Sequence, residues 1–210
     1  MTRLVDYLEP LPLVAVLRGI VPDEVDSVAT ALFSEGFRIL EVPLNSPRAF
    51  DSIRTLAQRF GATCLVGAGT VIERDDVSRV AEAGGTLVVT PHCDVEVVRA
   101  AKQHGLVCVP GVATPTEAFA ALRAGADGIK MFPAEALPAT VLKAWLAVLP
   151  RGTLVFPVGG IRPESMAQYW SAGAAGFGTG SNLYQPGMSV EAIRNAAANF
   201  AAAARTLRRP

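Results

Sequence analysis

The sequence has few of the residues on which metal, redox and disulfide-rich proteins depend. Its 210 residues contain three cysteines and two histidines. Cys64, Cys93 and Cys108 are too widely spaced for the paired ligands of zinc or redox motifs, so we expect buried thiols that pack as small apolar groups. His92 and His104 are too few for a histidine-based metal site. Any metal would therefore have to be held by carboxylates.

The chain also lacks an excess of charge of one sign and a long apolar run. Acidic and basic residues balance at 19 each, without runs of like charge, so neither nucleic acid nor a membrane surface is an expected partner. No apolar stretch approaches the roughly 18 residues of a membrane span, and the opening MTRLVDYLEPLP does not resemble a signal peptide. We expect a cytoplasmic protein whose partner is a small molecule.

What the sequence has instead is a repeated unit of a short apolar strand and an amphipathic helix. About eight such units follow one another at a spacing of roughly 20 to 27 residues, without a linker between them. A helix over Thr2 to Glu9 is predicted to precede them as a cap. The strands are predicted at Leu13 to Leu17, Arg38 to Val42, Cys64 to Ala68, Thr86 to Thr90, Leu106 to Val109, Asp127 to Met131, Leu154 to Val158 and Ala175 to Gly178.

Strands that alternate with helices pair in parallel through right-handed crossovers. An open doubly wound sheet would gather polar residues after one or two strands, whereas every strand of a barrel ends at the same mouth. Here nearly every predicted strand ends in a polar residue, a glycine or a proline, including Arg18, Thr70 and Pro91. The sequence therefore predicts an α/β fold: one (β/α)8 TIM barrel over residues 1–210, with an N-terminal capping helix.

Lys130 and Glu41 are the two charges that most need an explanation. They fall on the sixth and second predicted strands, in the same layer on opposite walls of a barrel. Taken alone, Lys130 is a strand-end lysine that reaches solvent, and Glu41 is an acid paired with Arg18 or Arg38. Together they are better explained as an amine that attacks a carbonyl and a carboxylate that moves protons.

The interior below these residues is predicted to leave space for a substrate. Gly128 lies two residues before Lys130, and Ala68 lies two residues before Thr70, so both positions beneath the polar layer carry small side chains. Arg18 at the same mouth can hold a planar carboxylate, although it can also simply pair with Glu41.

Glycines follow the last two predicted strands. Gly159 and Gly160 follow the seventh strand, and Gly180 with Ser181 follows the eighth. These loops are the usual phosphate cradle of such barrels, so their backbone N–H groups are expected to bind phosphate rather than merely to form turns. Thr70 and Phe132 are expected to shape the pocket wall, with a helix cap and core packing as their alternatives; His92 and Cys93 also face the mouth without an assigned role.

Eight motifs together resemble the 2-keto-3-deoxy-6-phosphogluconate and phosphogalactonate aldolase family over nearly the whole chain. They are LRGI at Leu17, EVPLNSP at Glu41, GAGTV at Gly67, VTPH at Val89, PGVATPTEA at Pro110, GIKMFPA at Gly128, VGGI at Val158 and GTGSNLY at Gly178. LRGI, EVPLNSP and SNLY are most similar to the phosphogalactonate branch. Val158 is also more similar to that branch, since the gluconate branch tends to carry a threonine there and an apolar side chain cannot hydrogen-bond the C4 hydroxyl whose configuration separates the two substrates.

The resemblance implies a class I aldolase that uses neither a metal nor another cofactor and forms a homotrimer. It implies cleavage of a phosphorylated 2-keto-3-deoxy sugar acid to pyruvate and D-glyceraldehyde 3-phosphate. Lys130 matches the Schiff-base lysine and Glu41 the acid/base. The substrate-binding residues are then Arg18, Thr70, Pro91, Phe132, Val158, Gly159, Gly160, Gly180 and Ser181.

Two other functions stay open at this point. One is another phosphate-binding barrel enzyme, such as an isomerase or a relative of thiamin phosphate synthase. The other is a barrel that binds a sugar phosphate without catalysis.

Overall fold

The computed structural model describes residues 3–9 and 11–207, which form alternating parallel strands and helices. The strands are β1 Leu13–Val16, β2 Ile39–Pro43, β3 Leu65–Gly69, β4 Leu87–Val89, β5 Val107–Val109, β6 Gly111–Val112, β7 Ile129–Met131, β8 Val155–Pro157 and β9 Phe177–Thr179. The helices are α1 Pro22–Ser34, α2 Ala49–Phe60, α3 Arg74–Glu82, α4 Val95–Gln103, α5 Pro115–Arg123, α6 Ala139–Leu146, α7 Pro163–Ser171 and α8 Val190–Thr206. Within these residues no helix combines the length and apolarity needed to cross a membrane.

The strands form two parallel sheets that adjoin at both sides. One sheet has the order β5-β4-β3-β2-β1-β9, and the other has the order β6-β7-β8. Only Pro110 separates β5 from β6, and proline breaks the ladder there because it has no N–H. Even so, its carbonyl accepts a 2.9 Å hydrogen bond from the N–H of Lys130. On the other side, an isolated parallel bridge joins Val158 to Gly178. The predicted parallel α/β fold is confirmed.

Two apolar clusters cover the two faces of the strands. The larger one packs the outer face against the helices. The inner one brings together Ile39 of β2, Val109 of β5 and Phe156 of β8, although these strands are not neighbours in either sheet. The strands therefore curve around a shared interior. Because both faces are buried, the strands are almost continuously apolar, and a polar group on the inner face stands out.

The predicted N-terminal helix is shorter and tighter than expected. It is a single 3₁₀ turn at Leu4–Tyr7, because Asp6 and Leu8 donate their N–H groups to carbonyls three residues back, at 3.1 and 3.3 Å. The prediction of a longer helix is wrong at Arg3, Leu8 and Glu9; its first residue, Thr2, lies outside the described residues. Leu4 nevertheless packs into the inner cluster.

Candidate active site

Lys130 and Glu41 meet inside the curved sheet. β7 carries Lys130 and β2 carries Glu41, and their side chains are only 6% and 2% exposed. Both line one small cavity together with Val158 and Gly178, and the rest of its wall is apolar side chains of the inner cluster, including Leu4 and Phe156. Its free volume is about 20 Å³, enough for about one water molecule. The strands thus bring together the two residues predicted to perform the chemistry.

These two groups share a cavity without neutralising each other in an ion pair. No ion pair among the described residues includes Glu41 or Lys130. The Oε2 atom of Glu41 is buried without a hydrogen-bond partner. The Nζ atom of Lys130 lies 4.6 Å from the centre of the Phe132 ring. A buried polar group with no partner costs stability, so its presence calls for a functional explanation.

Burial moves both groups toward their uncharged forms. It lowers the pKa of Lys130, an effect that Glu41 opposes and the positive charge of Arg18 reinforces. It raises the pKa of Glu41, although Lys130 and Arg18 both act in the opposite direction. A neutral amine is a nucleophile, and a carboxyl group with a raised pKa can accept and return a proton near neutral pH.

One glycine of β3 makes room for the Glu41 carboxylate, and a second lets the backbone of β4 approach closely. A methyl group on Gly69 would lie 1.3 Å from Glu41 Oε2, and one on Gly67 would lie 1.9 Å from the carbonyl oxygen of Leu87. The prediction that Ala68 faces the interior beneath Thr70 is wrong, because Ala68 packs in the outer cluster. Thr70 adopts a left-handed backbone with φ 54°, which breaks the strand alternation on which that prediction rested.

The space beneath Lys130 is too small for the predicted substrate, because the cavity there holds about one water molecule. A methyl group on Gly128 would lie 3.0 Å from the Phe156 ring and 3.1 Å from Leu4 Cδ2, so these two side chains fill the volume that Gly128 leaves. Phe156 comes from β8 and Leu4 from the N-terminal turn. A ligand therefore has to reach Lys130 from the carboxyl ends of the strands, which we call the mouth.

Arg18 lies at the mouth in a hydrogen-bonded group with Thr70. Its Nη2 donates to Thr70 Oγ1 at 3.4 Å. Its Nη1 donates to the side-chain oxygen of Asn45 at 2.8 Å. The alternative of an Arg18–Glu41 ion pair is not realised, and Arg38 instead stacks 3.8 Å above the Phe33 ring. Asn45 was missed by sequence reasoning, although its place two residues after β2 was a usable signal.

The glycine-rich loops leave backbone donors free at the mouth. Gly159 and Gly160 adopt φ 108° and 62°, which favour glycine. Among the described residues, the N–H groups of Gly160 and Ser181 donate to no protein acceptor. The carbonyl of Gly180 instead closes a turn by accepting from the N–H of Tyr184 at 3.0 Å. Two loops thus present free N–H groups of the kind that bind anions.

Tyr184 anchors the second of these loops and was not predicted. Its hydroxyl donates to Glu24 Oε1 at 2.5 Å. Tyr184 is buried, and burial together with the Glu24 carboxylate raises the pKa of its hydroxyl. The neutral phenol therefore persists as a donor and ties the loop after β9 to helix α1.

Pro91 follows β4 beside the first residue of β6. A methyl group on Gly111 would lie 2.6 Å from the backbone of Pro91. The buried Thr90, also missed, holds this loop, because its hydroxyl donates to the carbonyl of His92 and accepts from the N–H of Gly111 at 3.2 Å. His92 itself is exposed. Thr90 therefore has a structural role at the mouth.

The predicted burial of the cysteines is confirmed for two of the three. Cys64 and Cys108 are buried, and Cys93 is half-buried, with its thiol donating to the carbonyl of Glu117 at 3.4 Å. Burial raises the pKa of Cys108 to about 12, so this thiol stays protonated. Over residues 3–9 and 11–207, no group of three or more His, Cys, Asp and Glu residues is placed to hold a metal ion.

Comparison with known proteins identifies the family. The family described as "Aldolase: KDPG and KHG aldolase" matches residues 5–198. The 2-dehydro-3-deoxy-6-phosphogalactonate aldolase of Escherichia coli is 47% identical over 93% of this chain and 95% of its own. The solved "Native KDPGal structure" superposes with a TM-score of 0.92 at 46% identity, over 93% of this chain and 95% of that chain. A Legionella pneumophila KDPG aldolase, solved with pyruvate captured as a covalent carbinolamine, has a TM-score of 0.77 at 29% identity over 93% of both chains. This chain belongs to the KDPG and KHG aldolase family and is a carbon–carbon lyase.

Proposed function

We propose that this protein is a class I aldolase that cleaves 2-dehydro-3-deoxy-6-phosphogalactonate to pyruvate and D-glyceraldehyde 3-phosphate. The observation that carries the proposal is a buried lysine with a lowered pKa that shares a cavity with a buried, unpaired carboxyl group. The activity of the E. coli relative, at 47% identity, supports the choice of substrate. The covalent carbinolamine that pyruvate forms in the Legionella enzyme supports the choice of chemistry.

In this mechanism the neutral Lys130 amine attacks the C2 carbonyl of the substrate, and the carbinolamine takes up a proton and loses water to form a protonated imine. The Glu41 carboxylate then removes the proton of the C4 hydroxyl as the C3–C4 bond breaks. The electrons of that bond move into the imine to give an enamine, and the aldehyde leaves. Glu41 returns the proton to C3, and water hydrolyses the imine to release pyruvate.

The mouth supplies groups for both ends of this substrate. Arg18, together with Thr70, binds the carboxylate beside the reacting carbonyl. At the far end, the free N–H groups of Gly160 and Ser181, with Gly180, bind the phosphate. The wall between these ends is formed by Pro91, Phe132, Val158 and Gly159.

For the architecture we propose a closed (β/α)8 barrel that forms one domain over residues 1–210. Two observations support closure. Only Pro110 separates β5 from β6, and a bridge joins Val158 to Gly178. The resemblance to the aldolase family supports a homotrimer and a cytoplasmic location.

Reductive trapping tests the imine. The protein is incubated with pyruvate and sodium cyanoborohydride, and the adduct is located by peptide mass spectrometry. We expect a pyruvate-derived adduct on Lys130 that is absent from Lys130→Ala and present in Lys102→Ala, a control that removes a lysine outside the site. An unlabelled Lys130 would refute the mechanism, and activity that survives Lys130→Ala would favour a different phosphate-binding barrel enzyme.

A comparison of the two C4 epimers tests the substrate. We expect higher kcat/KM for the phosphogalactonate than for the phosphogluconate. Val158→Thr should shift the ratio of the two values toward the gluconate by about tenfold, because it adds a hydroxyl that can hydrogen-bond the C4 hydroxyl of one epimer. Equal kcat/KM values in the wild-type protein would contradict the proposed preference while leaving the aldolase chemistry intact.

A further inference from the structure

One carboxylate at the mouth has no role in the scheme above. Glu135 lies on the 3₁₀ turn Ala134–Ala136 that follows β7. The turn is held firmly, since the buried hydroxyl of Tyr169 donates to the carbonyls of Ala134 and Leu137 at 2.9 and 3.1 Å. The N–H of Ala134 also donates to the carbonyl of Val158 at 2.8 Å. The backbone position of Glu135 is therefore set by contacts with α7 and with the end of β8.

The side chain of Glu135 lies directly against the first glycine loop. A methyl group on Gly159 would lie 2.4 Å from Glu135 Oε2, and one on Gly160 would lie 2.8 Å from Oε1. The absence of side chains at these two positions is what admits the carboxylate. Glu135 is exposed, and among the described residues it forms no ion pair and accepts no hydrogen bond through its side chain. Its carboxylate is thus a hydrogen-bond acceptor at the mouth that has no donor among the described residues.

A carboxylate beside a phosphate-binding loop calls for an explanation, because two anions a few ångströms apart repel each other. Glu135 abuts Gly160, whose N–H group is free to bind the phosphate, and Gly159, which directly follows Val158 of the Lys130 cavity. A substrate joined to Lys130 at C2 and bound by its phosphate at C6 passes this point with C4 and C5. The donors on that stretch are hydroxyl groups, and a carboxylate is an acceptor that can pair with one.

We propose that Glu135 binds the hydroxyl on C5 of the substrate and so selects the configuration of the aldehyde that is released or added. This inference rests on the proposed function. C5 is the nearer candidate because Glu135 contacts the phosphate loop rather than the Lys130 cavity, whereas the C4 hydroxyl must lie close to Glu41. The carboxylate–hydroxyl bond offsets the repulsion from the phosphate only when the C5 hydroxyl points toward Glu135.

The test uses the aldol direction, in which pyruvate is joined to either D- or L-glyceraldehyde 3-phosphate. These two aldehydes differ only at the carbon that becomes C5. We measure kcat/KM for both with the wild-type protein, Glu135→Ala, Glu135→Gln and Glu164→Ala. Glu164, an exposed acid at the start of α7, is a control for the loss of one negative charge.

We expect Glu135→Ala to lower kcat/KM for the D-aldehyde by about tenfold or more, with little effect on the L-aldehyde, so that the preference for D falls by the same factor. Glu135→Gln should retain part of the preference because its amide oxygen still accepts a hydrogen bond. Glu164→Ala should retain all of it.

Three results would overturn the inference. An equal fall for both aldehydes would assign Glu135 a structural role. A rise for both would mean that it only repels the phosphate. A wild-type protein that forms the pyruvate adduct on Lys130 and yet has no D preference would refute the role of Glu135 alone, whereas a missing adduct would refute the proposed function first.

Discussion

Two lysine–carboxylate pairs lie near opposite ends of the strands, and their surroundings differ in nearly every respect. At the amino ends, Lys102 and Asp127 form an ion pair of 2.5 Å, with side chains that are 33% and 27% exposed. Lys102 also donates to the carbonyl of Leu106 at 2.9 Å, and Asp127 accepts from the N–H of Cys108 at 2.8 Å. Inside the mouth, Lys130 and Glu41 are buried and form no ion pair with each other.

This difference indicates a structural role for the first pair and fits the proposed chemical role of the second. The first pair satisfies its hydrogen-bonding groups with fixed partners and joins α4, β5 and the start of β7. In the second pair Glu41 Oε2 has no partner, and burial shifts the pKa values of both groups toward the uncharged forms. Groups held in this way destabilise the fold, and this cost fits the proposed roles of Lys130 as nucleophile and Glu41 as acid/base.

Exchanging each lysine for alanine should give the largest contrast. Lys130→Ala removes the amine that forms the imine, so we expect the rate of pyruvate release to fall on the order of 10³-fold or more, with no loss of thermal stability. Lys102→Ala should keep the rate and lower the free energy of unfolding by about 1 kcal/mol, because its ion pair is partly exposed. A Lys102→Ala protein as inactive as Lys130→Ala would remove the distinction between the pairs.

Exchanging the two carboxylates for amides should also affect activity in one pair and stability in the other. Glu41→Gln is expected to lower kcat by about 10²-fold, because an amide cannot take the C4 proton, and to leave the melting temperature unchanged or higher, because a buried unpaired carboxyl group is lost. Asp127→Asn should retain kcat and melt at a lower temperature. Steady-state rates and calorimetry on the same preparations measure both effects. Unchanged kcat in Glu41→Gln would mean that Glu41 is not the group that takes the C4 proton.

The features that the sequence could predict are those that depend on local pattern. Strand alternation and the polar residue at the end of each apolar run were enough to locate Lys130 and Glu41 at one mouth. The motifs then added the family. These features need only neighbouring residues in the chain, so no knowledge of the packed interior was required.

The features that sequence reasoning missed depend on contacts between distant segments. The volume beside Gly128 is filled by Leu4, more than a hundred residues earlier in the chain, and by Phe156. Ala68 faces outward in the regular alternation of β3, and the left-handed backbone of Thr70 breaks the alternation that would have put both residues on one face. Small residues beneath a site therefore do not predict empty space, because another part of the chain can occupy it.

The pH dependence of stability should sharpen the comparison further. The pKa of Lys130 is lowered from 10.5 by burial, so the folded state binds fewer protons at this site than the unfolded state. The resulting cost to stability is fully present below the lowered folded pKa and disappears as the pH rises to 10.5. Lys130→Met should therefore stabilise the protein most at pH values below the folded pKa of Lys130, and the gain should shrink as the pH rises toward 10.5. Urea unfolding over a pH series measures it; a gain independent of pH would contradict the burial of an ionisable amine.

The smallest expected effect concerns Asn45, which holds the third charge of the mouth in place. Asn45 accepts a 2.8 Å hydrogen bond from Arg18, and Arg18 lowers the pKa values of both Lys130 and Glu41. Losing one hydrogen bond to an exposed charged group costs about 0.5–1.5 kcal/mol, so Asn45→Ala should raise KM for pyruvate by about two- to tenfold and leave kcat nearly unchanged. Arg18→Ala, which removes the proposed carboxylate-binding group itself, should raise KM further. If Asn45→Ala instead lowered kcat with KM constant, the orientation of Arg18 would matter to the bond-breaking step rather than to binding. Arg18, Lys130 and Glu41 would then have to be treated as one group of three interacting charges.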